Sequence, residues 1–171
     1  MCGIVGYVGE NNSVDILMNG LYSLEYRGYD SAGISIVEND NIITFKSEGK
    51  IDNLQNIIDK NKKIESNIGI GHTRWATHGA PSDINAHPHS TARLSLVHNG
   101  IIENNKHIKN NLINKGYKFI SETDTEVAAI LIDYLYNGNP LLAIKKEIEV
   151  LEGSYGFAII FKDKLDKLVF G

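Results

Sequence analysis

The chain has little of what is typical of secreted, membrane-bound or nucleic-acid-binding proteins. Its 171 residues include one cysteine, which excludes an internal disulfide and fits a reducing cytoplasm. No apolar run approaches the ~20 residues that span a bilayer, and the first residues lack the positive charge of a secretory signal. The net charge of −4 argues against a phosphate-backbone partner. The sequence therefore predicts a cytoplasmic protein that binds neither membrane nor nucleic acid.

The six histidines do not form a metal-binding pattern. His72 and His78 are six residues apart and His87 and His89 are a close pair, but no two histidines have the i, i+4 spacing of a helical site. A second cysteine and a His-Glu-x-x-His pattern are also missing. We therefore expect no metal site.

Short apolar strands alternate with amphipathic helices along the chain. Strands are predicted over residues 3–9, 32–37, 42–45, 68–73, 94–98, 155–161 and 168–170, and helices over residues 14–24, 51–58, 108–113, 126–136 and 140–152. Ser13 is predicted to cap the first helix, and Thr123 or Asp124 the fourth. Because hairpins and helices are interleaved without a regular βαβ alternation, the pattern favours antiparallel sheets covered by helices, an α+β fold.

Two further features concern the irregular parts of the chain. Residues 75–92 contain two prolines, a glycine and many polar side chains, so they are predicted to form a long loop, which in a compact domain is often functional. The sequence ends at Gly171 just as a strand begins, which suggests a fragment of a longer protein.

The residue with the clearest chemical potential is the cysteine, because Cys2 directly follows Met1. Removal of Met1 would leave a thiol and a free α-amine on one residue. An α-amine has a pKa of about 7.7–8.0, so it can act as a general base near neutral pH. Nucleophiles that use an N-terminal amine in this way are a known catalytic solution. The alternative is that Cys2 is a small apolar residue that opens a strand.

Asn99 and Gly100 are candidates for stabilising a developing negative charge. Asn99 offers side-chain N–H donors, and Gly100 offers a backbone N–H that no side chain obstructs, so the pair can form a two-donor oxyanion hole. The alternative interpretation is a hairpin turn, for which Asn-Gly is a strong signal.

Charged residues of both signs suggest recognition of an amino acid. Arg74 can clamp a carboxylate, with Thr77 and His78 adding hydrogen bonds, whereas the simpler interpretation is a surface arginine in an ordinary salt bridge. Asp124 can pair with an ammonium group, whereas the simpler interpretation is a helix N-cap. Together, the arginine and the aspartate would recognise the two charged groups of an α-amino acid.

Five polar stretches behind Cys2 carry a resemblance to a known family. These stretches are residues 26–33, 72–79, 85–89, 97–104 and 121–126. In this order they closely resemble the class II glutamine amidotransferases, which belong to the N-terminal-nucleophile hydrolases. The resemblance extends from Cys2 to about Gly156, and its most specific parts are residues 25–33 and 72–79. Within the class, the chain looks most like the glutaminase domain of the amidotransferases that form amino sugars.

The resemblance implies a fold, a reaction and a catalytic set. The fold would be a four-layer αββα sandwich of antiparallel sheets. Cys2 would attack the side-chain amide of L-glutamine with its own α-amine as base, and Asn99 and Gly100 would form the oxyanion hole. The products would be glutamate and ammonia, with no metal or cofactor. The ammonia would serve the conversion of fructose 6-phosphate to glucosamine 6-phosphate in the full-length enzyme.

The resemblance also assigns residues to substrate binding and gating. Arg74, Thr77 and His78 would hold the α-carboxylate of glutamine, and Asp124 would hold its α-ammonium group. Trp75 would lie in a mobile loop that closes over glutamine and gates the passage of ammonia. In addition, Arg27 would support the cysteine end of the site.

The resemblance leaves part of the function open. Residues 1–171 would form an amidotransferase domain that is incomplete at its C-terminus. The sugar-phosphate isomerase domain of the full-length enzyme would be missing. The full-length enzyme is expected to be a homo-oligomer. Sister families, the purine-pathway phosphoribosyl amidotransferase and asparagine synthetase, share the cysteine but are not expected to have the Trp75-Ala76-Thr77-His78 run. The alternatives are therefore a class II amidotransferase with another acceptor and a non-catalytic module that binds glutamine.

The role of the α-amine predicts that a chain that keeps Met1 is inactive. With Met1 attached, the nitrogen of Cys2 is an amide and cannot accept a proton. Intact-mass measurement of each preparation, paired with an assay of glutamine hydrolysis, should show activity in proportion to the fraction that lacks Met1. Full activity from a chain that retains Met1 would refute the amine as the base.

Overall fold

Two antiparallel sheets form the framework of the chain. The computed structural model describes residues 2–61, 64–77, 79–164 and 166–171. Its strands are β1 (Gly3–Val8), β2 (Ser31–Glu38), β3 (Asn41–Glu48), β4 (Ile68–Arg74), β5 (His89–Ser90), β6 (Leu94–Ile102), β7 (Gly153–Phe161) and β8 (Leu168–Phe170). The first sheet has the order β1-β4-β2-β3 and the second has the order β5-β6-β7-β8. All neighbouring strands within each sheet are antiparallel.

Helices cover the outer face of each sheet. They are α1 (Ser13–Leu24), α2 (Ile51–Asp59), α3 (Asn105–Asn114), α4 (Asp124–Leu135) and α5 (Pro140–Ile148). Apolar side chains of α1 and α2 pack against the first sheet, and those of α3, α4 and α5 pack against the second. A third apolar cluster joins the inner faces of the two sheets. The predicted four-layer αββα sandwich is therefore confirmed. Within the described ranges, none of the helices is long and apolar enough to cross a membrane.

Strand alternation explains how one strand serves two layers. Successive side chains of a strand point to opposite faces of its sheet. In β2, Ala32, Ile34 and Ile36 pack against α1 and α2, whereas Val37 belongs to the cluster between the sheets. The same alternation places Ile68 and Ile70 of β4 in the inner layer. Both faces of these central strands are buried along almost their whole length.

Local sequence signals account for most of the connections. The hairpin predicted between β2 and β3 is present, and its turn residues Asn39 and Asp40 have φ values of 49° and 58°. Asparagine and aspartate tolerate this left-handed conformation better than most residues do. Gly116 follows α3 with a φ of 94°, as expected for a glycine that ends a helix. Pro140 occupies the first turn of α5, where a missing backbone N–H costs nothing.

Some predicted boundaries were wrong. The side chain of Asn12, and not that of Ser13, caps α1 by accepting a hydrogen bond from the backbone N–H of Val14. Of the two caps predicted for α4, Thr123 is confirmed, and Asp124 is the first helical residue. Helix α5 ends at Ile148, earlier than predicted, and the long loop over residues 75–92 includes the short strand β5.

Glu147 in α5 is an acidic residue in an apolar environment. Its side chain is fully buried, and neither carboxylate oxygen has a hydrogen-bond partner among the residues that the structure describes. Burial raises the pKa of Glu147 well above its usual value, because the charged form loses its hydration. In the folded chain the residue is therefore protonated over a pH range in which it is ionised after unfolding.

We predict that Glu147→Gln stabilises the chain at pH 8 but not at pH 4. Because the folded state holds its proton more tightly than the unfolded state, the stability of the parent chain falls as pH rises above the ordinary carboxyl pKa of about 4.3. The glutamine side chain of the variant does not titrate, so its stability does not fall with pH for this reason. Urea-denaturation midpoints at the two pH values measure the difference, with Glu149→Gln, an exposed neighbour, as the control. The prediction would be contradicted if Glu147→Gln and the parent chain had the same urea midpoint at pH 8 as well as at pH 4.

Candidate active site

Strand alternation brings candidate residues from both sheets to one end of the space between them. In β4, His72 and Arg74 continue the inward-facing series of Ile68 and Ile70. In β6, Asn99 continues the inward-facing position of Val97. Cys2 precedes β1 by one residue and continues the series of Ile4, which packs between the sheets. The apolar layer between the sheets is thus followed, at this end, by the polar residues of the candidate site.

These side chains surround a cavity of about 820 Å³. Its lining consists of Cys2, Arg27, Arg74, Trp75, Thr77, His87, His98, Asn99, Gly100, Ile101, Thr123, Asp124 and Thr125. Eight of the nine predicted site residues are therefore brought together. The ninth, His78, lies outside the residues that the structure describes. The volume is sufficient for a small metabolite, since ligand pockets usually measure about 300–1,000 Å³.

Cys2 is held at the mouth of the site by the backbone of Trp75. The N–H of Trp75 donates a hydrogen bond to Cys2 Sγ at 3.2 Å, and the thiol lies 3.6 Å from the carbonyl oxygen of the same residue. Cys2 is half-buried, so a ligand in the cavity can reach its sulfur. The backbone N–H would remain available as a donor to a thiolate.

The Asn-Gly pair lies inside a strand and not at a hairpin turn. Strand β6 was predicted to end at residue 98, but it continues to Ile102, with Asn99 paired to Gly156 and Gly100 paired to Tyr155 of β7. Gly100 has a φ of 133°, and a Cβ atom there would lie 2.0 Å from the carbonyl oxygen of Ser154. The glycine is thus required by the close approach of β7.

Arg74 is a buried residue, so its interpretation as a surface arginine is wrong. Only 3% of Arg74 is exposed, although it lines the cavity. Its Nη1 lies 3.9 Å from Asp30 Oδ1, and its Nη2 donates a hydrogen bond to the carbonyl oxygen of Gly79 at 3.2 Å. Asp30 also accepts hydrogen bonds from the backbone N–H of Ala76 and the hydroxyl of Ser31. The guanidinium is therefore held in place by protein contacts.

Asp124 contributes an acidic side chain to the lining of the cavity. It is buried at the start of α4, where the positive end of the helix dipole favours a carboxylate. Its Oδ2 accepts a hydrogen bond from the backbone N–H of Ile102 at 2.9 Å, and its Oδ1 lies 3.9 Å from His98 Nδ1. The carboxylate is thereby fixed between α4 and the end of β6.

Trp75 and Arg27 form an exposed rim of the cavity. Trp75 is 54% exposed, and its ring lies close to Gly28, where an added Cβ would be 2.9 Å from Trp75 Cζ3. Gly28 also has a φ of 73°, so both its conformation and its contact favour glycine. Arg27 belongs to a short 3-10 turn after α1, and its Nε donates a hydrogen bond to the hydroxyl of Tyr26 at 3.3 Å.

Several residues of the site were not predicted as individuals. The residues missed were His87, His98, Ile101, Thr123 and Thr125. All of them fall within the polar stretches at residues 85–89, 97–104 and 121–126, so their position beside predicted residues was the available signal. Which side chain of each stretch faces the cavity depends on strand register and on the start of α4.

Three clustered, buried histidines are neutral at physiological pH. Burial lowers the pKa of His72 to about 4 and holds those of His87 and His89 well below the usual value. The rings contact one another, with centroids 4.4 Å apart for His72 and His87 and 5.3 Å apart for His87 and His89. Of the residues described, no group of three or more His, Cys, Asp or Glu side chains is arranged to hold a metal ion.

Comparison with known proteins identifies the family. A family model described as a glutamine amidotransferase domain matches residues 72–170. The chain therefore belongs to the glutamine amidotransferase domain family. The matched residues include Arg74, Asn99, Gly100 and Asp124 but begin after Cys2.

Two curated relatives have sequences closely similar to that of this chain. The chain is 52% identical to a protein from Caldanaerobacter subterraneus and 54% identical to one from Clostridium acetobutylicum, each over 99% of the chain. Both relatives are named glutamine–fructose-6-phosphate aminotransferase (isomerizing). The chain spans 28% of the length of each relative.

A solved structure shares the fold. The glutamine phosphoribosylpyrophosphate amidotransferase of B. subtilis, complexed with ADP and GMP, superposes with a TM-score of 0.78 and 30% identity. The match covers 95% of this chain and 35% of that chain. It agrees with the predicted N-terminal-nucleophile hydrolase fold.

We predict that Gly100→Ala disrupts the β6–β7 pairing. The added methyl group would collide with the backbone of Ser154, and alanine would be strained at this φ, so we expect a loss of at least about 2 kcal/mol in the free energy of unfolding. Chemical denaturation measures the loss. The matched control is Ile101→Ala at the exposed neighbouring position, for which we expect a smaller change. Equal effects of the two substitutions would show that the close approach of β7 is not critical.

Proposed function

We propose that the chain is a glutaminase domain that hydrolyses L-glutamine to glutamate and ammonia. The observation that carries the proposal is the convergence of Cys2, Asn99 and Gly100 on the cavity that Arg74 and Asp124 also line. These residues supply, in one place, a nucleophile, two hydrogen-bond donors and two opposite charges. Membership of the glutamine amidotransferase family supports the same reaction.

The two charges account for the choice of a free amino acid. Arg74 would bind the α-carboxylate, with Thr77 and His78 as further contacts, and Asp124 would bind the α-ammonium group. Both charges are already fixed by protein contacts, so little ordering is required when the substrate binds. The side-chain amide of glutamine would then extend towards Cys2. Trp75 would close over the bound substrate, and Arg27 would support the cysteine end of the site.

The reaction requires the free α-amine of Cys2. Met1 lies outside the residues that the structure describes, and the mechanism applies to a chain from which it has been removed. The amine, directly or through a water, takes the thiol proton, and the sulfur attacks the amide carbon. The oxyanion accepts hydrogen bonds from the Asn99 side chain and the Gly100 backbone. The protonated amine then gives its proton to the leaving ammonia, and water hydrolyses the γ-glutamyl thioester to glutamate.

We further propose that the ammonia serves amino-sugar formation in a longer protein. The relatives that are 52–54% identical are named for fructose 6-phosphate as acceptor, and the chain spans 28% of their length. Residues 1–171 would then be the N-terminal amidotransferase domain of a cytoplasmic, oligomeric enzyme with a C-terminal sugar-phosphate isomerase domain. The lower identity of 30% to the phosphoribosylpyrophosphate amidotransferase makes that acceptor the weaker alternative.

A kinetic comparison of two variants tests the assigned roles. Asn99→Ala should lower turnover by about 10²-fold with little change in KM, because the oxyanion forms only during reaction. Asp124→Asn should raise KM by about 10-fold to 100-fold, because a charge-assisted hydrogen bond to the ammonium group is lost. Asparagine is preferred to alanine here because its oxygen can still accept the hydrogen bond from Ile102.

The assay measures glutamate released by the chain without Met1, and Cys2→Ala provides the blank. A non-catalytic glutamine-binding module would release none, and this result would overturn the proposal. An unchanged KM for Asp124→Asn would remove Asp124 from the binding site while leaving the reaction itself intact.

A further inference from the structure

One side-chain hydrogen bond links the two sheets at the site. His72 Nε2 lies 2.9 Å from Asn99 Oδ1. His72 is on β4, a central strand of the first sheet, and Asn99 is on β6 of the second sheet. His72 is fully buried and is not among the residues that line the cavity, so it contacts Asn99 from behind.

The direction of this hydrogen bond decides what Asn99 offers to the cavity. If His72 carries its proton on Nε2, the ring donates to Oδ1, and the NH₂ group of Asn99 is left to face the cavity as a donor. If the proton is on Nδ1, Nε2 is an acceptor and attracts that NH₂ group instead. The amide oxygen would then face the cavity and repel a developing negative charge.

We propose that His72 is a positioning residue whose Nε2–H orients the Asn99 amide so that its N–H donors point to the oxyanion. The proposal rests on the glutaminase function proposed above. His72 touches neither the substrate nor the reacting atoms in this assignment, and it acts through Asn99 alone.

The surroundings of His72 suit this role. Burial, the dominant influence, lowers the pKa of His72 to about 4, although the hydrogen bond to Asn99 and a backbone contact with His98 act in the opposite direction. The ring is therefore neutral at physiological pH and carries one proton, whose position matters. The neighbouring ring of His87, 4.4 Å away, and the central position of β4 restrict its movement.

The test compares His72→Leu with His72→Gln in the chain without Met1. Leucine fills a similar volume but has no donor, so we expect turnover to fall by about 10-fold to 100-fold, approaching the loss of an oxyanion donor, with KM within about 2-fold. Glutamine can place an amide N–H near the position of Nε2 and should restore most of the turnover. Equal losses in both variants, or a loss that appears only in KM, would overturn the proposal.

A second arm separates positioning from a general packing effect. In the Asn99→Ala background, His72→Leu should cause no further loss of turnover, because the group it positions is absent. Independent, additive losses would show that His72 acts by another route and would overturn the proposal. Thermal unfolding of each variant reports whether the fold is retained.

A third arm does not depend on activity. In a chain with ¹⁵N-labelled histidine, NMR correlations between ring nitrogens and carbon-bound protons identify the tautomer of His72. A neutral Nε2–H form supports the proposal, whereas an Nδ1–H form overturns it. If the parent chain releases no glutamate, the proposed function fails, and the tautomer still shows how Asn99 is oriented.

Discussion

The contact between the inner faces of the two sheets controls the geometry of the candidate active site. The buried apolar residues of this contact, among those that the structure describes, are Val37, Ile68, Ile70, Val97, Ala158 and Ile160. The strand alternation that buries them also turns Cys2 and Asn99 into the same interior space. A slip of β6 by one residue would turn Asn99 towards the helices and remove it from the site. The geometry of the candidate site and the packing of the core are therefore set by the same strand registers.

The interior is apolar in one region and polar in another, and two groups of polar side chains show how polarity is accommodated there. The buried hydroxyl groups of Ser35 and Ser95 bond to each other at 2.8 Å, and both are linked at 2.6–2.8 Å to the half-buried Thr44 and the exposed Ser90. The buried histidines avoid the cost of an uncompensated charge by staying neutral. This arrangement permits polar side chains within a closely packed sandwich, next to a cavity that a ligand can enter.

Opposite charges at the site are carried by different layers. Arg74 belongs to the first sheet and is anchored by Asp30 and the carbonyl of Gly79, whereas Asp124 begins a helix that covers the second sheet. Their separation is thus determined by how the two halves of the sandwich pack. Each charge is fixed by protein contacts, so the distance between the two is set before any ligand binds.

The sequence by itself determined the elements, the class of fold and the stretches that contain the site. Period-2 and period-3.6 apolar patterns are local, so the strands and helices were predicted with boundary errors of a few residues, as at Asn12 and Ile148. The chemistry of Cys2 and the resemblance of residues 25–33 and 72–79 pointed to the reaction.

Only the tertiary structure decided how individual residues are used. Asn99-Gly100 has the local signal of a turn, but pairing with β7 makes it part of a strand. Arg74 is buried because β4 lies in the middle of a sheet, and its contact with Asp30 spans distant parts of the sequence. The hydrogen bond between His72 and Asn99 exists only because two sheets face each other. Contacts between residues far apart in the chain produce no periodic apolar pattern in the sequence. They therefore became visible only in the packed structure.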